Sequence, residues 1–353
     1  MRAAVYHGRR DVRVVDAPEP PEPAAGEITV EVTTGALCGT DLGEFVHGPK
    51  LIPLTTRSPA SGHLGPVIIG HEFSGRVVAR GSDVGSLPVG TRVVPGAGSW
   101  CGECRWCREG RVNLCRDYFV YGLHADGGFA DYVNVPAKMC CEVPAACGEH
   151  AAPIAQPLAV AIHALRRARA CPGESVVVVG AGGIGALIIA GAAAAGIDSV
   201  IAVDVDRARL EIAERLGASA VVDARTDDVA AVVRSHVGGD GADLVIDAAG
   251  KPAGLDSALA CVRRGGRVAL VGLHAGPAEL DLHRVVLNEI ELVSSNGLVC
   301  QADLPAALDL LASTDLASVV TGRVIDLSDV VPEGLVAMAE GRAGGKVVVC
   351  IDR

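Results

Sequence analysis

The sequence predicts an α/β protein with two domains, a strand-rich domain and a doubly wound parallel sheet flanked by helices. Its 353 residues are enough for two domains that each bury a core of their own. Up to Pro157, short apolar runs alternate with glycine and proline, whereas beyond it buried apolar runs alternate with Ala- and Leu-rich helical patterns. The first pattern indicates β-structure, and the second indicates successive βαβ units.

The strands predicted in the first part are short and separated by strong turn signals. They cover residues 3–6, 12–15, 28–32, 75–79 and 92–94. Turn signals this dense favour a partly open β-barrel or sandwich over helices. Residues 48–66 contain four prolines and show no apolar periodicity, so we expect a long surface loop there.

The second part predicts the parallel sheet. A fully buried strand is expected at residues 176–179, and further strands at residues 200–204, 221–222, 243–248 and 267–272. The end of the chain, with a strand at residues 346–349, is expected to return to the first domain. The predicted domains are therefore residues 1–157 with 294–353, and residues 158–293. A helix near residues 306–311 fits either domain.

Composition argues against several partners and locations. The formal net charge of −11 disfavours a nucleic-acid or anionic-membrane partner, because either would need a basic face. The N-terminus lacks an apolar signal core, and the apolar stretch at residues 186–195 is too short to span a bilayer. We therefore expect a cytoplasmic protein. Four of the twelve cysteines fall within fifteen residues, which indicates a metal site in a reducing compartment.

A glycine-rich turn marks the candidate cofactor site. It directly follows the predicted strand at 176–179, precedes a helical pattern, and comprises Gly180, Gly182, Gly183, Ile184 and Gly185 with Ala181 between the first two. Gly180 permits a tight turn, Gly182 lets backbone amides approach a pyrophosphate, and Gly185 lets the helix pack closely. An ordinary glycine-rich turn is the alternative, but the flanking strand and helix are those of a dinucleotide site.

Asp204 is the candidate determinant of cofactor choice. It ends the next predicted strand, 19 residues beyond Gly185. A carboxylate there accepts hydrogen bonds from the adenosine ribose and repels a 2′-phosphate, which favours NAD over NADP. The alternative is that Asp204 only caps the following helix. Arg209 is a further candidate for cofactor binding, and Arg207 and Arg209 lie close enough to allow some use of NADP.

Four cysteines form a candidate structural metal site. Their order is Cys101, Cys104, Cys107 and Cys115. A closed set of four thiolates binds zinc tetrahedrally and leaves no open position, so its role is structural. An iron–sulfur cluster is a second option, because similar spacings occur in ferredoxins. Four unrelated buried cysteines are the remaining alternative.

Cys38, His71 and Glu72 form the candidate catalytic metal set. His71 and Glu72 follow Gly70 at the end of a β-branched run. Cys38 lies 33 residues before His71 and opens a predicted turn after the strand at residues 28–32. One sulfur, one nitrogen and one oxygen ligand, completed by water, make an open zinc site. A chance His-Glu pair on a solvated loop is the alternative. With the four-cysteine site, we predict two zinc ions per chain.

The motifs resemble those of the zinc-dependent medium-chain dehydrogenase/reductase family over essentially the whole chain. Residues 70–84 look like its zinc signature, residues 101–115 like its structural lobe, and residues 180–204 like its nucleotide fingerprint. Residues 38–41 and 127–132 are similar to its 2,3-butanediol, sorbitol and threonine dehydrogenase branch. The resemblance implies a GroES-like β-barrel catalytic domain, a Rossmann domain and a homo-oligomer, either a dimer or a tetramer.

The resemblance also implies a mechanism. Zinc acts as a Lewis acid on the substrate oxygen, and hydride passes between the carbinol carbon and the nicotinamide. Thr40, two residues after Cys38, matches the hydroxyl that carries the proton outward in the family. An ordinary turn residue is the alternative for Thr40.

Two positions depart from the pattern of that branch. Relatives have glutamate where this chain has Gln156, a neutral side chain and a poorer metal ligand. Relatives also have the last histidine of the proton relay where this chain has Gly43. His47 could substitute for it, although a solvated loop histidine is the alternative that we favour.

These observations predict an NAD(H)- and zinc-dependent oxidoreductase. Its expected substrate is a secondary alcohol or ketone of a vicinal diol, polyol or cyclitol. Gln156 and Gly43 keep open a sugar or aminocyclitol dehydrogenase of a biosynthetic pathway. An NAD-binding sensor or structural protein with an impaired zinc site is the alternative outside the enzymes. The joint presence of Cys38, Thr40, His71 and Glu72 argues against it.

Overall fold

The computed structural model describes residues 1–85 and 87–351. The chain divides into two compact units, one formed by Met1–Ala159 with Leu298–Arg353 and the other by Val160–Gly297. Within the described residues, none of the helices has both the length and the apolar character needed to cross a membrane.

The first part of the chain is built from short strands, as the turn signals predict. These strands are β1 Arg2–Gly8, β2 Asp11–Asp16, β3 Glu27–Ala36, β4 Val67–Ile68, β5 Glu72–Arg80, β6 Arg92–Pro95, β7 Gly98–Ser99, β8 Phe119–Val120, β9 Tyr132–Pro136 and β10 Cys140–Glu142. The helices of this part are α1 Gly39–His47, α2 Arg105–Arg108 and α3 Ala155–Arg167. Residues 48–66 form no helix or strand, as expected for a loop.

The predicted turn at Cys38 is wrong, because Cys38 is the N-cap of helix α1. The backbone N–H of Cys38 donates a hydrogen bond to Oδ2 of Asp41 at 2.9 Å. This carboxylate, three residues into the helix, satisfies the free N–H of the capping residue and fixes the start of the helix. Gly43 therefore lies inside a helix and not in a loop.

The second unit contains the predicted parallel sheet. Its strands are β11 Ser175–Val179, β12 Ser199–Asp204, β13 Ala220–Asp223, β14 Ala242–Asp247, β15 Val262–Leu270 and β16 Glu291–Ser294. The intervening helices are α4 Gly183–Ala194, α5 Arg207–Arg215, α6 Val229–Val237, α7 Pro252–Cys261 and α8 Leu282–Leu287. The strand order is β13-β12-β11-β14-β15-β16, so the order reverses between β11 and β14. The α/β fold class is confirmed.

The end of the chain completes the main sheet of the first unit. It contributes α9 Cys300–Ser313, α10 Leu316–Val320, β17 Thr321–Asp326, α11 Ala337–Ala339 and β18 Lys346–Cys350. The main sheet has the order β10-β6-β5-β3-β18-β17, and β9 also pairs with β3. Strand β3 is thus central, and its Ile28, Val30 and Val32 are at most 1% exposed. The helix predicted near residues 306–311 is α9, which belongs to this unit.

Candidate metal centres and nucleotide site

Two adjacent strands bring the candidate catalytic ligands together. Cys38 follows β3, while Glu72 begins β5, and these strands are antiparallel neighbours with Ala36 opposite Glu72. One ligand atom each from Cys38, His71 and Glu72 lies within 4.8 Å of the others. Gly70 makes the preceding bend possible: its φ is +98°, and a Cβ there would lie 2.4 Å from the Phe129 ring. A side chain at this position would displace the bend that presents His71.

Asp41 is a buried partner of His71 that the sequence analysis did not single out. Its Oδ1 lies 3.4 Å from Nδ1 of His71, and its side chain is fully buried. A carboxylate on that side of the ring favours a proton on Nδ1 and leaves Nε2 free for a metal. The available signal was the position of Asp41, three residues after Cys38 at the start of an amphipathic run.

Lys346 is the second functional neighbour that sequence reasoning missed. Its ammonium group forms an ion pair with Glu72 Oε2, and both side chains are almost completely buried. Nζ also donates to the carbonyl of Leu37 at 3.1 Å. Burial alone would lower the pKa of Lys346, but the charges of Glu72 and Cys38 outweigh burial, so the net shift is upward. No local signal could reveal this contact, because the partners are 274 residues apart.

The donor set of this cluster fits a zinc ion. Among the described residues, Glu72 Oε1 is buried without a hydrogen-bond partner, so this oxygen is available to a metal ion. Burial alone would lower the pKa of His71, yet the neighbouring Asp41 and Cys38 raise it well above its usual value. A cation is thus favoured at this imidazole, and a metal bound by thiolate, imidazole and carboxylate would take the place of the proton.

The remaining candidate catalytic residues, Thr40, Gln156 and His47, differ in how deeply they are buried. Thr40 is half-buried, with its Oγ1 3.7 Å from Cys38 Sγ. Gln156 is buried as the second residue of α3, just after a 3₁₀ turn, Ala152–Ile154, that packs on β3 and β5. His47 is exposed at the last residue of α1, about 10 Å along the helix from Thr40 at 1.5 Å per residue. This distance favours the solvated interpretation of His47.

The four cysteines of the candidate structural site are close enough to share one metal ion. Their sulfur atoms all lie within 4.8 Å of one another. The Sγ–Sγ distances are 3.9 Å for Cys101–Cys107, 3.5 Å for Cys104–Cys107 and 3.5 Å for Cys101–Cys115. Tetrahedral zinc with Zn–S bonds of about 2.3 Å requires sulfur separations of roughly 3.8 Å, which agrees with these values.

Backbone N–H donors favour a thiolate at Cys104, whereas burial raises the pKa of Cys107 and Cys115. The backbone N–H groups of Cys104 and Asp117 lie 3.4 and 3.3 Å from Sγ of Cys101 and Cys115. The backbone of Cys107 makes the largest contribution to lowering the pKa of Cys104 to about 6. N–H donors stabilise the charged form of a thiol, so the loop is suited to a metal that binds thiolates.

The glycine-rich turn has the geometry of a phosphate-binding loop. Gly180, at the end of β11, has a φ of +94°, and a Cβ there would lie 2.8 Å from the backbone of Ala249. A Cβ on Gly185 would lie 1.7 Å from the Gly180 carbonyl oxygen, so the third glycine is required for helix α4 to approach the turn. Gly182 caps α4, and Gly183 and Ile184 form its first turn. Their backbone N–H groups and the helix dipole suit a pyrophosphate.

Asp204 is held by the backbone at the carboxyl end of β12. Its Oδ2 accepts a hydrogen bond from Ala181 at 2.7 Å, and its Oδ1 accepts bonds from Val205 and Asp206 at 2.8 and 2.9 Å. The alternative that Asp204 caps the next helix is wrong, since Asp206 is the N-cap of α5. Arg209 Nη1 lies 3.8 Å from Asp204 Oδ2, which places this cation beside the glycine loop.

Comparisons with known proteins agree with this geometry. Residues 24–145 match the family model for the alcohol dehydrogenase GroES-like domain, and residues 183–313 match the model for the zinc-binding dehydrogenase. The chain is 33% identical over 316 residues to sorbitol dehydrogenase of Bacillus subtilis (strain 168), covering 89% of this chain and 86% of that enzyme.

Solved structures of dehydrogenases resemble this chain over almost its whole length. The crystal structure of 2R,3R-butanediol dehydrogenase from Bacillus subtilis superposes with a TM-score of 0.90 and 30% identity, covering 99% of both chains. A structure described as a short chain alcohol dehydrogenase from E. coli CFT073, complexed with NADH, gives a TM-score of 0.88 at 27% identity and covers 99% of both chains.

Proposed function

The chain belongs to the zinc-dependent medium-chain alcohol dehydrogenase family, and on that premise we propose that it transfers a hydride between NAD(H) and a secondary alcohol or ketone. The observation that carries the proposal is the convergence of Cys38, His71 and Glu72 ligand atoms within 4.8 Å. The substrate class is a vicinal diol, polyol or cyclitol, in keeping with the sorbitol and butanediol dehydrogenases among its relatives.

The chain provides two zinc sites with different roles. Cys38, His71 and Glu72 would hold the catalytic ion, while the four cysteines between 101 and 115 would hold a structural ion. When bound, zinc supplies a Lewis acid for the substrate oxygen, and nicotinamide supplies the hydride acceptor. Asp41 orients His71, and Lys346 holds the Glu72 carboxylate.

Thr40 takes the substrate proton in this proposal. Its hydroxyl lies beside Cys38 Sγ and can both accept and donate a hydrogen bond. A Cβ at Gly43 would meet no atom within 4 Å, so the space where relatives have a histidine is open. We therefore expect the proton to continue to solvent through water.

Gln156 sets the charge of the site. A glutamine near the metal gives a neutral amide where a glutamate would add a second carboxylate to Glu72. Fewer negative charges make the metal a stronger Lewis acid but hold it less tightly. Gln156 and Gly43 also motivate the second candidate function, a sugar or aminocyclitol dehydrogenase.

The proposed division of labour follows the two predicted domains. Residues 1–157 with 294–353 carry catalysis, and residues 158–293 bind NAD through Gly180, Gly182, Gly183, Ile184, Gly185, Asp204 and Arg209. A cytoplasmic homo-oligomer, either dimer or tetramer, is part of the proposal.

The test is a steady-state assay of the zinc-loaded protein with NAD against diols, polyols, sugars and cyclitols. NADH formation at 340 nm with vicinal diols, polyols or cyclitols is the expected result, and preference for a sugar or aminocyclitol would support the second candidate. Cys38→Ser is expected to lose this activity, with Cys171→Ser, at an exposed cysteine, as the matched control. A zinc-loaded protein that binds NADH but oxidises none of these compounds would contradict the proposal.

A further inference from the structure

His274 and Asp247 form a partly buried contact in the second unit that none of the motifs explains. Asp247 ends strand β14, and its carboxylate is fully buried. Its Oδ2 lies 3.0 Å from Nε2 of His274, which follows β15. Because the oxygen belongs to a carboxylate, the imidazole is the donor and Nε2 carries the proton.

The same aspartate joins two loops at the carboxyl edge of the sheet. Its Oδ1 accepts hydrogen bonds from Ala249 and Gly250 at 3.0 and 3.1 Å, so it fixes the loop that follows β14. Its backbone carbonyl accepts the N–H of Gly272 at 2.8 Å, and its Oδ2 contacts His274. Asp247 therefore ties the loop after β15 to the loop after β14 through two separate contacts.

Between these two contacts the chain exposes an apolar side chain. Leu273 lies between Gly272 and His274 and is 86% exposed. Both neighbours of this leucine are hydrogen-bonded to Asp247. The backbone of Leu273 is therefore fixed, and its side chain stays on the surface. Such a surface is suited to an apolar ring.

The strand order places this edge beside the nicotinamide half of a bound dinucleotide. Strands β11 and β14 are neighbours, with Val179 opposite Asp247, and the order of the sheet reverses between them. Dinucleotides cross such a reversal with the pyrophosphate at the glycine turn. Asp204 marks the adenosine side, at β12, so the other half lies over the loops after β14 and β15.

We propose that the His274–Asp247 contact positions the loop that carries Leu273 for the nicotinamide half of the cofactor. The inference rests on the proposed function, because it requires a nicotinamide dinucleotide. His274 acts through Asp247 and Leu273 and is a positioning residue. Among the described residues, Nδ1 of His274 is buried without a hydrogen-bond partner, so Asp247 is the acceptor that holds the ring. A loop ordered before binding spares the ligand the entropy of ordering it.

Two substitutions separate this role from general support of the fold. The amide of His274→Gln reaches as far as Nε2 and can still donate to Asp247, whereas the amide of His274→Asn ends near the position of Nδ1 and cannot. Calorimetric titration of the zinc-loaded, full-length variants would use NADH and ADP, which lacks the nicotinamide half. Thermal melting would verify that each variant is folded.

We expect His274→Asn to raise the Kd for NADH about three- to tenfold, the range for one lost hydrogen bond, and to leave the Kd for ADP within about twofold. His274→Gln should retain an NADH Kd within about twofold of the unmodified protein. Equal weakening of NADH and ADP, unchanged NADH binding in His274→Asn, or no rescue by His274→Gln would each overturn the inference. An unmodified protein that binds no NADH would instead overturn the proposed function.

Discussion

Lys346 and Glu72 form a buried ion pair that connects the last strand of the chain to the candidate catalytic metal site. The lysine side chain is 8% exposed and the glutamate side chain 1% exposed. One oxygen of Glu72 contacts the lysine, while the other is buried with no hydrogen-bond partner in the part of the chain that the structure describes. This carboxylate can therefore contact a metal ion with one oxygen while the other remains neutralised by the protein.

The ion pair is expected to be essential for the stability of the first unit. Removing the cation in Lys346→Met leaves an uncompensated buried carboxylate, which should reduce the free energy of unfolding by about 3 kcal/mol. Urea denaturation of the metal-free protein measures the change, because a zinc ion at Glu72 would itself neutralise the carboxylate, and Lys346→Arg is the conservative control. Adding Glu72→Gln to Lys346→Met should recover part of the loss. Additive effects of the two substitutions would show that the side chains do not interact.

Metal content should distinguish the two zinc sites. We expect two zinc ions per chain in the intact protein and one in Cys38→Ala, because the four-cysteine site is independent of Cys38. Elemental analysis with a protein assay measures the ratio. Cys171→Ala, at an exposed cysteine outside both clusters, should keep two ions. A single zinc ion in the intact protein would rule out the catalytic site.

Asp204 should control the choice between NAD and NADP. Asp204→Ala removes the acceptor for the ribose hydroxyls and the charge that repels a 2′-phosphate, so the kcat/KM ratio of NAD to NADP should fall about tenfold. Since Asp204 also holds Ala181, binding of NAD itself should weaken. The control is Asp228→Ala, which removes the cap of helix α6. An unchanged cofactor ratio in Asp204→Ala would mean that the ribose contact is elsewhere.

Asp243 should make stability depend on pH in the acid range. Partial burial raises its pKa, but the N–H and hydroxyl of Ser175 and the Arg263 guanidinium lower it to about 2, against 3.8 for the free group. The resulting stabilisation is complete above pH 3.8 and is lost as the pH falls through the folded-state pKa. Asp243→Asn should therefore have a free energy of unfolding at pH 7 that is lower by about 1–2 kcal/mol.

The difference in the free energy of unfolding between Asp243→Asn and the unmodified protein should shrink as the pH falls from about 4 towards 2. Urea denaturation at a series of pH values follows it. Asp240→Asn, an exposed aspartate nearby, is the control and should track the unmodified protein throughout. A difference that stays constant from pH 7 to pH 3 would contradict the ionic origin of the effect.

Local patterns predicted much of this molecule. The glycine turn, the four cysteines and the alternation of strands with helices each lie within a short segment, so their geometry follows from neighbouring residues. The family resemblance and the fold class drawn from them are confirmed. The start of α1 was missed because its cap is a cysteine, which is not among the usual capping residues.

The other omissions concern contacts between distant parts of the chain. Lys346 lies in a strand whose sequence reads only as buried β-structure, and its pairing with β3 brings the ammonium group to Glu72. His274 similarly gained a role only when β14 and β15 became neighbours. Strand pairing of this kind depends on the assembled sheet and leaves no periodic signal in the sequence.

The position of Lys346 also affects the order in which the two sheets can fold during translation. Cys38, His71 and Glu72 leave the ribosome long before Lys346, which follows Glu72 by 274 residues. The strands of the second unit all lie between Ser175 and Ser294, so that sheet can form earlier than the main sheet of the first unit. Lys346, which neutralises Glu72, begins strand β18 and is synthesised after all the strands of the second unit. A nascent chain can therefore form its nucleotide-binding sheet before Lys346 is available to complete the surroundings of the candidate catalytic metal site.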